Sequence, residues 1–264
     1  MQRSEKKFSV SEYEYVTPTV TSDDPRMLRA IDGWLGLYEA CYVMALGIQE
    51  GLVVADGQEN YGIESAQRPR PEHLLAALTQ SAQALNQWNG HWVLGGGLAM
   101  NFYGRERATR DVDFFLETDK DQLDPVFAAL KQHGVFLHSY EKPSFMPPDA
   151  EHWWVPLQFG LPDAAPVDVD LLVAPSEFQA FLHASGVESR LNGTRIRIVG
   201  LEALMILKMK AYRGRDQDDL QALLRAHKSY DRELVLAWLQ KFKIEHRLAE
   251  IEALANENGG RRMG

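Results

Sequence analysis

Two apolar segments of the sequence each carry a pair of aspartates two residues apart. Asp111 and Asp113 stand in DVDFFL, and Asp168 and Asp170 stand in VDVDLLV. Side chains two apart on a β-strand point to one face, so each segment predicts a strand with a buried face and a carboxylate face. Adjacent carboxylates repel each other unless a cation neutralises them. Mg²⁺ prefers such oxygen ligands together with phosphate oxygens, so the pairs suggest a magnesium site.

Residues near the first pair support this interpretation. Arg107 and Thr109 share the parity of Asp111 and Asp113, so on an extended strand all four would line one surface. Two strands that each present carboxylates on one face could pool three or four of them, as two-metal phosphoryl transfer requires. A lone Asp-x-Asp more often lies on a solvated edge strand, and Arg107 could be an ordinary loop arginine.

A glycine turn precedes the first aspartate pair. Gly95, Gly96 and Gly97 lie between the apolar segment WVL and the helical segment LAMNFYG. A turn of this kind exposes backbone N–H groups, and the following helix N-terminus favours phosphate. No Gly-Lys-Ser/Thr follows, so the segment is not a P-loop. On its own it could equally be an ordinary turn.

Hydrophobic periodicity predicts the elements that must position these residues. The predicted helices are 27–48, 71–88, 98–104, 121–133, one that opens at Pro175, 201–212, 216–226 and 233–255. The predicted strands are 92–96, 108–116, 134–138, 153–159, 167–173 and 194–199, with 153–159 and 167–173 forming a hairpin. Residues 1–24 are polar and expected to be loosely ordered.

This pattern predicts an α+β protein with a mixed β-sheet and flanking helices. Residues 1–90 are expected to form a helical N-terminal extension and residues 91–200 an α/β core. Residues 201–255 are expected to form a C-terminal helical segment, followed by a disordered tail at 256–264.

Composition limits the functional classes. The 264 residues are 45% hydrophobic and 25% charged, with a net charge of −9. That charge disfavours a general nucleic-acid coat, although a local basic patch is compatible with it. The single cysteine, Cys41, fits a buried thiol in a reducing compartment. No window is apolar enough to span a bilayer and no signal region is evident, so we expect a cytoplasmic protein.

In combination these motifs resemble the nucleotidyltransferase superfamily, which has a DNA polymerase β-like fold. Gly96-Gly97 is followed by thirteen residues, then Asp111-Val112-Asp113, then a distant acidic strand. The resemblance is closer to the AbiEii-type toxins and related bacterial nucleotidyltransferase-like proteins. Their GGxA, RxTxDxD, Lys-x-x-Ala and Arg-Asp/Asp motifs resemble Gly96–Ala99, Arg107–Asp113, Lys208–Ala211 and Arg215–Asp219, within residues 91–228.

The resemblance implies Mg²⁺-dependent transfer of a nucleoside monophosphate from an NTP to a hydroxyl group. It implies that Gly96 and Gly97 hold the triphosphate and that Asp111 and Asp113 bind metal, with two ions expected. Asp170 is preferred over Asp168 as the third carboxylate, because it precedes Leu-Leu as the last acidic residue of the family often does. The resemblance implies that Arg107 and Thr109 contact phosphates or orient Asp111, and that Lys208 compensates the triphosphate charge. Because Lys208 stands in an apolar helix, an ion pair with Asp216 or Asp219 is a second and compatible interpretation.

The acceptor remains open between RNA such as a tRNA end, a protein, and a small molecule of the aminoglycoside type. The toxin resemblance favours RNA or protein, whereas the pI of about 5.4 favours a small or basic acceptor. The resemblance to these toxins also implies an antitoxin protein as a partner. A non-catalytic regulatory member of the fold is the further alternative.

Overall fold

The computed structural model describes residues 2–3, 7–10, 13–16, 19–35, 71–106, 109, 111–137, 144–145, 152–160 and 165–260. Its strands are β1 Gln2–Arg3, β2 Lys7–Val10, β3 Tyr13–Val16, β4 Val20–Thr21, β5 His91–Leu94, β6 Asp111–Glu117, β7 Val135–Leu137, β8 Ser144–Phe145, β9 Trp153–Phe159, β10 Val167–Val173, β11 Val187–Leu191 and β12 Thr194–Ile198. Its helices are α1 at 25–35, α2 Pro71–Trp88, α3 Gly96–Phe102, α4 Asp124–Gln132, α5 Glu177–Ala184, α6 Leu201–Ala211, α7 Gly214–Ala226, α8 Arg232–Lys241 and α9 His246–Gly260.

A mixed sheet of eight strands forms the centre of the molecule. Seven strands follow the order β11-β12-β5-β6-β10-β9-β7, and β8 pairs with β9. β6 lies between β5, which is antiparallel to it, and β10, which is parallel to it. β9 and β10 form the predicted antiparallel hairpin. The α+β class with a mixed sheet and flanking helices is therefore confirmed.

The alternation of β6 gives the sheet two different faces. Val112, Phe114 and Leu116 are fully buried on one face. Asp111, Asp113 and Phe115 point to the other, here called the carboxylate face, on which α3 and α5 pack. β6 therefore packs into the core through its apolar face. Its aspartates lie on the other face, where they are only half-buried, so the strand accommodates them without placing charge in the core.

The tight β11–β12 hairpin was missed by the sequence analysis, which predicted only its second strand. Asn192 and Gly193 have φ angles of 47° and 77° and join β11 to β12. An Asn-Gly turn favours hairpins because both residues tolerate positive φ. The signal was thus present in the sequence, but the short polar strand Val187–Leu191 obscured it.

The C-terminal helices also differ from the prediction. The single helix expected at 233–255 is broken into α8 and α9, and Lys243 in the connection has a φ of 58°. The Ile244 N–H donates to the Leu239 carbonyl at 2.9 Å across this left-handed turn, which ends α8, and α9 then packs on α7. α9 continues to Gly260, within the segment expected to be disordered, while 261–264 lie outside the described residues.

The N-terminal region contributes to the core. α1 begins at Pro25 and buries Met27, Ile31 and Leu35, which recur at the helical spacing that predicted it. Residues 36–70, which include Cys41 and the rest of the predicted helix, lie outside the described residues. Among the residues that are described, no helix has the length and apolar character needed to cross a membrane.

Candidate active site

The two aspartate pairs meet on the carboxylate face. In the parallel register of β6 and β10, Asp168 lies beside Asp111 and Asp170 lies beside Asp113. Neighbouring residues in register point to the same face, so the pairing brings both acidic strands together. Asp111, Asp113 and Asp170 are half-buried and each offers an oxygen within 4.8 Å of the others. Three converging carboxylates are a donor set that suits a hard divalent cation.

Asp168 occupies a different position from the other three aspartates. It is exposed, it lies outside the group of three, and Gln158 donates a hydrogen bond of 3.2 Å to its carboxylate. The structure therefore separates Asp170 from Asp168, which the sequence alone could rank only by resemblance.

The glycine turn contacts the carboxylates directly. The Gly95 N–H donates to the Asp113 carbonyl at 2.9 Å, which joins the end of β5 to β6. Gly96 has a φ of 57°, and a Cβ there would overlap the Asp113 carboxylate. A Cβ at Gly97 would lie 2.6 Å from the Thr109 side chain. Glycine at these positions thus allows the turn to approach the acidic strand at van der Waals distance.

Thr109 contacts the first carboxylate of the site. It precedes β6, which begins at Asp111. Thr109 is buried, and its hydroxyl donates a hydrogen bond to Oδ1 of Asp111. Its carbonyl accepts a 2.8 Å hydrogen bond from Nε1 of the buried Trp34 on α1. Arg107 lies outside the described residues.

Lys208 pairs with both aspartates proposed for it. Its Nζ lies 2.9 Å from Oδ1 of Asp216 and 2.9 Å from Oδ2 of Asp219. Burial would raise the pKa of the Asp216 carboxyl, but hydrogen bonds from Arg213 and Lys208 lower it below the usual value. The ion-pair alternative for Lys208 is therefore observed in the structure.

Arg213 is a residue that the sequence analysis did not assign. It precedes α7, and its Nε donates to Oδ2 of Asp216 at 2.8 Å. Asp216 is the main cause that raises the pKa of Arg213, and the charges of Asp113 and Asp111 raise it further. The guanidinium is thus within electrostatic range of the carboxylates on the sheet. The clustering of basic residues at 208–215 was the available sequence signal.

A small cleft lies further along the same face. Phe115, two residues beyond Asp113, lines it together with Phe178 of α5 and Leu207 of α6. Acidic and aromatic surfaces therefore adjoin on this face.

A mixed sheet with three carboxylates on two parallel strands, beside a glycine turn, defines the arrangement expected of a nucleotidyltransferase. Residues 80–261 match the family model described as nucleotidyl transferase AbiEii toxin, Type IV TA system. Because the match covers more than half of the chain, the protein belongs to this family. The predicted resemblance and the enzyme class are both confirmed.

Several solved structures are also similar to this chain. The protein JHP933 from Helicobacter pylori is 18% identical over 68% of this chain and 75% of its own, with a TM-score of 0.41. An antigenic nucleotidyltransferase-like protein from Paracoccidioides brasiliensis is 19% identical over 63% and 88%, with a TM-score of 0.40. ANT(2'')-Ia in complex with adenylyl-2''-tobramycin is 16% identical over 64% and 97%, with a TM-score of 0.43. No curated protein matches significantly.

Proposed function

We propose that the protein transfers a nucleoside monophosphate from an NTP to a hydroxyl acceptor with Mg²⁺ as its metal. The observation that carries this proposal is the convergence of Asp111, Asp113 and Asp170 within 4.8 Å. Membership of a nucleotidyl transferase family supports the reaction type. The presence of all three carboxylates favours a catalytic protein over a non-catalytic regulator of the same fold.

Each side chain has a distinct part in this proposal. Asp111 and Asp113 would hold metal, and bound Mg²⁺, as one ion or two, would neutralise charge on the triphosphate. Asp170 would complete the metal site or accept the proton of the acceptor hydroxyl. The acceptor oxygen bonds to the α-phosphorus as the bond to the β-phosphate oxygen breaks, which releases pyrophosphate. The N–H groups of Gly96 and Gly97 would face the phosphates.

We propose an RNA or protein acceptor, because the family is described as a toxin of a Type IV toxin–antitoxin system. In that role the protein would act in the cytoplasm and would have an antitoxin partner. One observation favours a small cationic acceptor of the aminoglycoside type as a second candidate. The exposed Asp168 adds a negative charge next to the three carboxylates, which would attract an amine and repel a nucleic-acid backbone.

The two acidic residues of β10 offer a matched test of the proposal. The purified protein is incubated with Mg²⁺, each labelled NTP in turn, and a cell lysate or a panel of aminoglycosides. We expect Asp170→Asn to reduce labelling on the order of 100-fold or more, because a proton acceptor or metal ligand is lost. Asp168→Asn makes the same charge change two residues away and is expected to retain labelling of an RNA or protein acceptor. Weaker labelling of an aminoglycoside by Asp168→Asn would instead support the second candidate.

Asp113→Asn should abolish labelling while the circular dichroism spectrum and the melting temperature show a folded protein. Labelled RNA, protein or small molecule identifies the acceptor class. Absence of product with every nucleotide would contradict the catalytic proposal, and equal activity of the two β10 variants would contradict the role of Asp170.

A further inference from the structure

A chain of alternating charges runs from the interior to the surface where α6 meets α7. Asp216 and Asp219 of α7 have side chains that are only 1% exposed. Lys208 of α6 reaches both of them, and Arg213, between the helices, reaches Asp216. Each buried aspartate is thus paired with a cation, as buried ionised groups require.

Lys208 is engaged inside this cluster. Its side chain is 10% exposed, and its ammonium has carboxylate oxygens at 2.9 Å on two sides. Withdrawing the ammonium to bind a phosphate would take from two buried carboxylates the cation that they share at 2.9 Å, which is costly. Lys208 is therefore better suited to fixing Asp216 than to touching the nucleotide.

Arg213 has the opposite character. Its side chain is 78% exposed, and Asp216 holds it through Nε at 2.8 Å and through the backbone N–H at 3.1 Å. Those contacts involve one side of the guanidinium, while the group carries five N–H donors in a planar fork. The remaining donors belong to the exposed part of the side chain.

The helix that begins after Arg213 also contacts the segment that leads to the sheet site. Asp219 lies 3.7 Å from Nε of Arg105, in the loop that leads from α3 to β6. Nε2 of His227, at the end of α7, is 2.8 Å from the Tyr103 carbonyl at the end of α3. α7 is thereby held against the segment between the glycine turn and Asp111, and the fields of Asp113 and Asp111 act on Arg213.

We propose that Arg213 binds the β- and γ-phosphates of the incoming NTP, and that Lys208 acts as a positioning residue through Asp216. This inference rests on the proposed function, because it assigns a phosphate subsite within the same site. A guanidinium pairs with phosphate oxygens through two parallel hydrogen bonds, which fixes orientation as well as charge. Metal bound at Asp111 and Asp113 would neutralise the negative charge of these carboxylates. Arg213 would then interact with the phosphates and not with the aspartates.

The test measures phosphate affinity directly, using Mg²⁺-tripolyphosphate as the probe in isothermal titration calorimetry. We expect Arg213→Gln to weaken binding about tenfold or more, since a charge-assisted pair is removed. Arg213→Lys should recover part of the affinity. Arg225→Gln is the matched control, because it makes the same charge change at an exposed position in the last turn of α7. It should bind within about twofold of the wild type, as distant exposed charges are screened.

The outcomes separate this inference from the proposed reaction. Equal affinities of Arg213→Gln and Arg225→Gln, or no binding by the wild-type protein, would overturn the role of Arg213. If in that case the wild type still labels an acceptor and Asp170→Asn does not, the proposed reaction stands without a role for Arg213. If Arg213→Gln selectively loses affinity but no NTP is transferred, the phosphate subsite stands and the proposed reaction fails.

Discussion

At the residue scale, the glycine turn and the aspartate pair form one structural unit. The sequence places Gly96 and Asp113 seventeen positions apart, and both were identified from residue type and spacing. The structure adds that they are in contact, because β5 and β6 pair antiparallel and bring the end of one strand beside the start of the other. Close approach explains why glycine is needed, which spacing alone did not reveal.

Gly96→Ala should therefore abolish nucleotidyl transfer. The new Cβ would overlap the Asp113 carboxylate and displace it, and the positive φ of 57° would cost about 1–2 kcal/mol in addition. Transfer is measured with the labelled NTP, and stability by urea denaturation. Gly104→Ala is the control, since Gly104 has a φ of 87° with no atom within 4 Å of the added Cβ. Equal retention of activity in both variants would refute the proposed contact.

At the element scale, the position of α6 and α7 depends on the buried charges between them. A lysine in the apolar segment LEALMILKMKA indicated that it must pair or reach solvent. Periodicity could not decide which, because the choice depends on how the next helix packs. Asp216 and Asp219 are one helical turn apart, so both face Lys208 once α7 folds back on α6.

Lys208→Met should destabilise the protein by about 3–5 kcal/mol, because two buried carboxylates lose their shared cation. The free energy of unfolding is measured by urea denaturation at neutral pH. Lys210→Met is the matched control on the same helix. Its ammonium lies 3.8 Å from the Phe242 ring centroid, so about 0.5–1 kcal/mol should be lost. Similar losses in both variants would show that the cluster does not hold the two helices together.

At the scale of the whole molecule, the candidate site and a pair of stacked histidines lie at opposite ends of β6. The carboxylates lie where β6 begins, and His91, at the start of the antiparallel β5, lies beside Glu117, where β6 ends. The His91 and His183 rings stack at 4.1 Å, and Nδ1 of His91 is 2.8 Å from the Glu117 carboxylate. The pKa of His183 is lowered, mainly by burial and then by the charges of His91 and Arg197.

This arrangement predicts a loss of stability in mild acid. The lowered pKa means that folded His183 binds a proton less readily than the unfolded chain, whose histidine pKa is about 6.5. The effect of His183 on the free energy of unfolding is therefore absent at pH 8, and it lowers that free energy as the pH falls below about 6.5. His183→Gln should reduce the decrease in unfolding free energy between pH 7 and pH 5.

The exposed His246 supplies the control, because His246→Gln removes a histidine outside this pair. Urea denaturation at several pH values measures both variants. Arg195, Arg197 and Glu117 also act on His183, and they are unchanged in both proteins. An identical pH dependence of the two variants would rule out His183 as the titrating group.

The sequence by itself determined the class of protein, the acidic strands, the glycine turn and most of the helices. These features are local: a period of two or 3.6 residues, a turn residue or a motif reports the conformation of its own segment. The same local reasoning missed β11, which is a short polar strand, and joined α8 to α9, although a left-handed turn at Lys243 separates them.

Only the tertiary structure decided which of the chemically similar side chains share the site. Asp168 and Asp170 have the same parity and the same chemistry, yet Asp170 joins Asp111 and Asp113 while Asp168 pairs with Gln158. Lys208 is buried between two carboxylates, whereas Arg213, which pairs with one of them, is largely exposed. Strand pairing and helix packing set these differences, because they bring together residues far apart in sequence whose burial and partners no local pattern encodes.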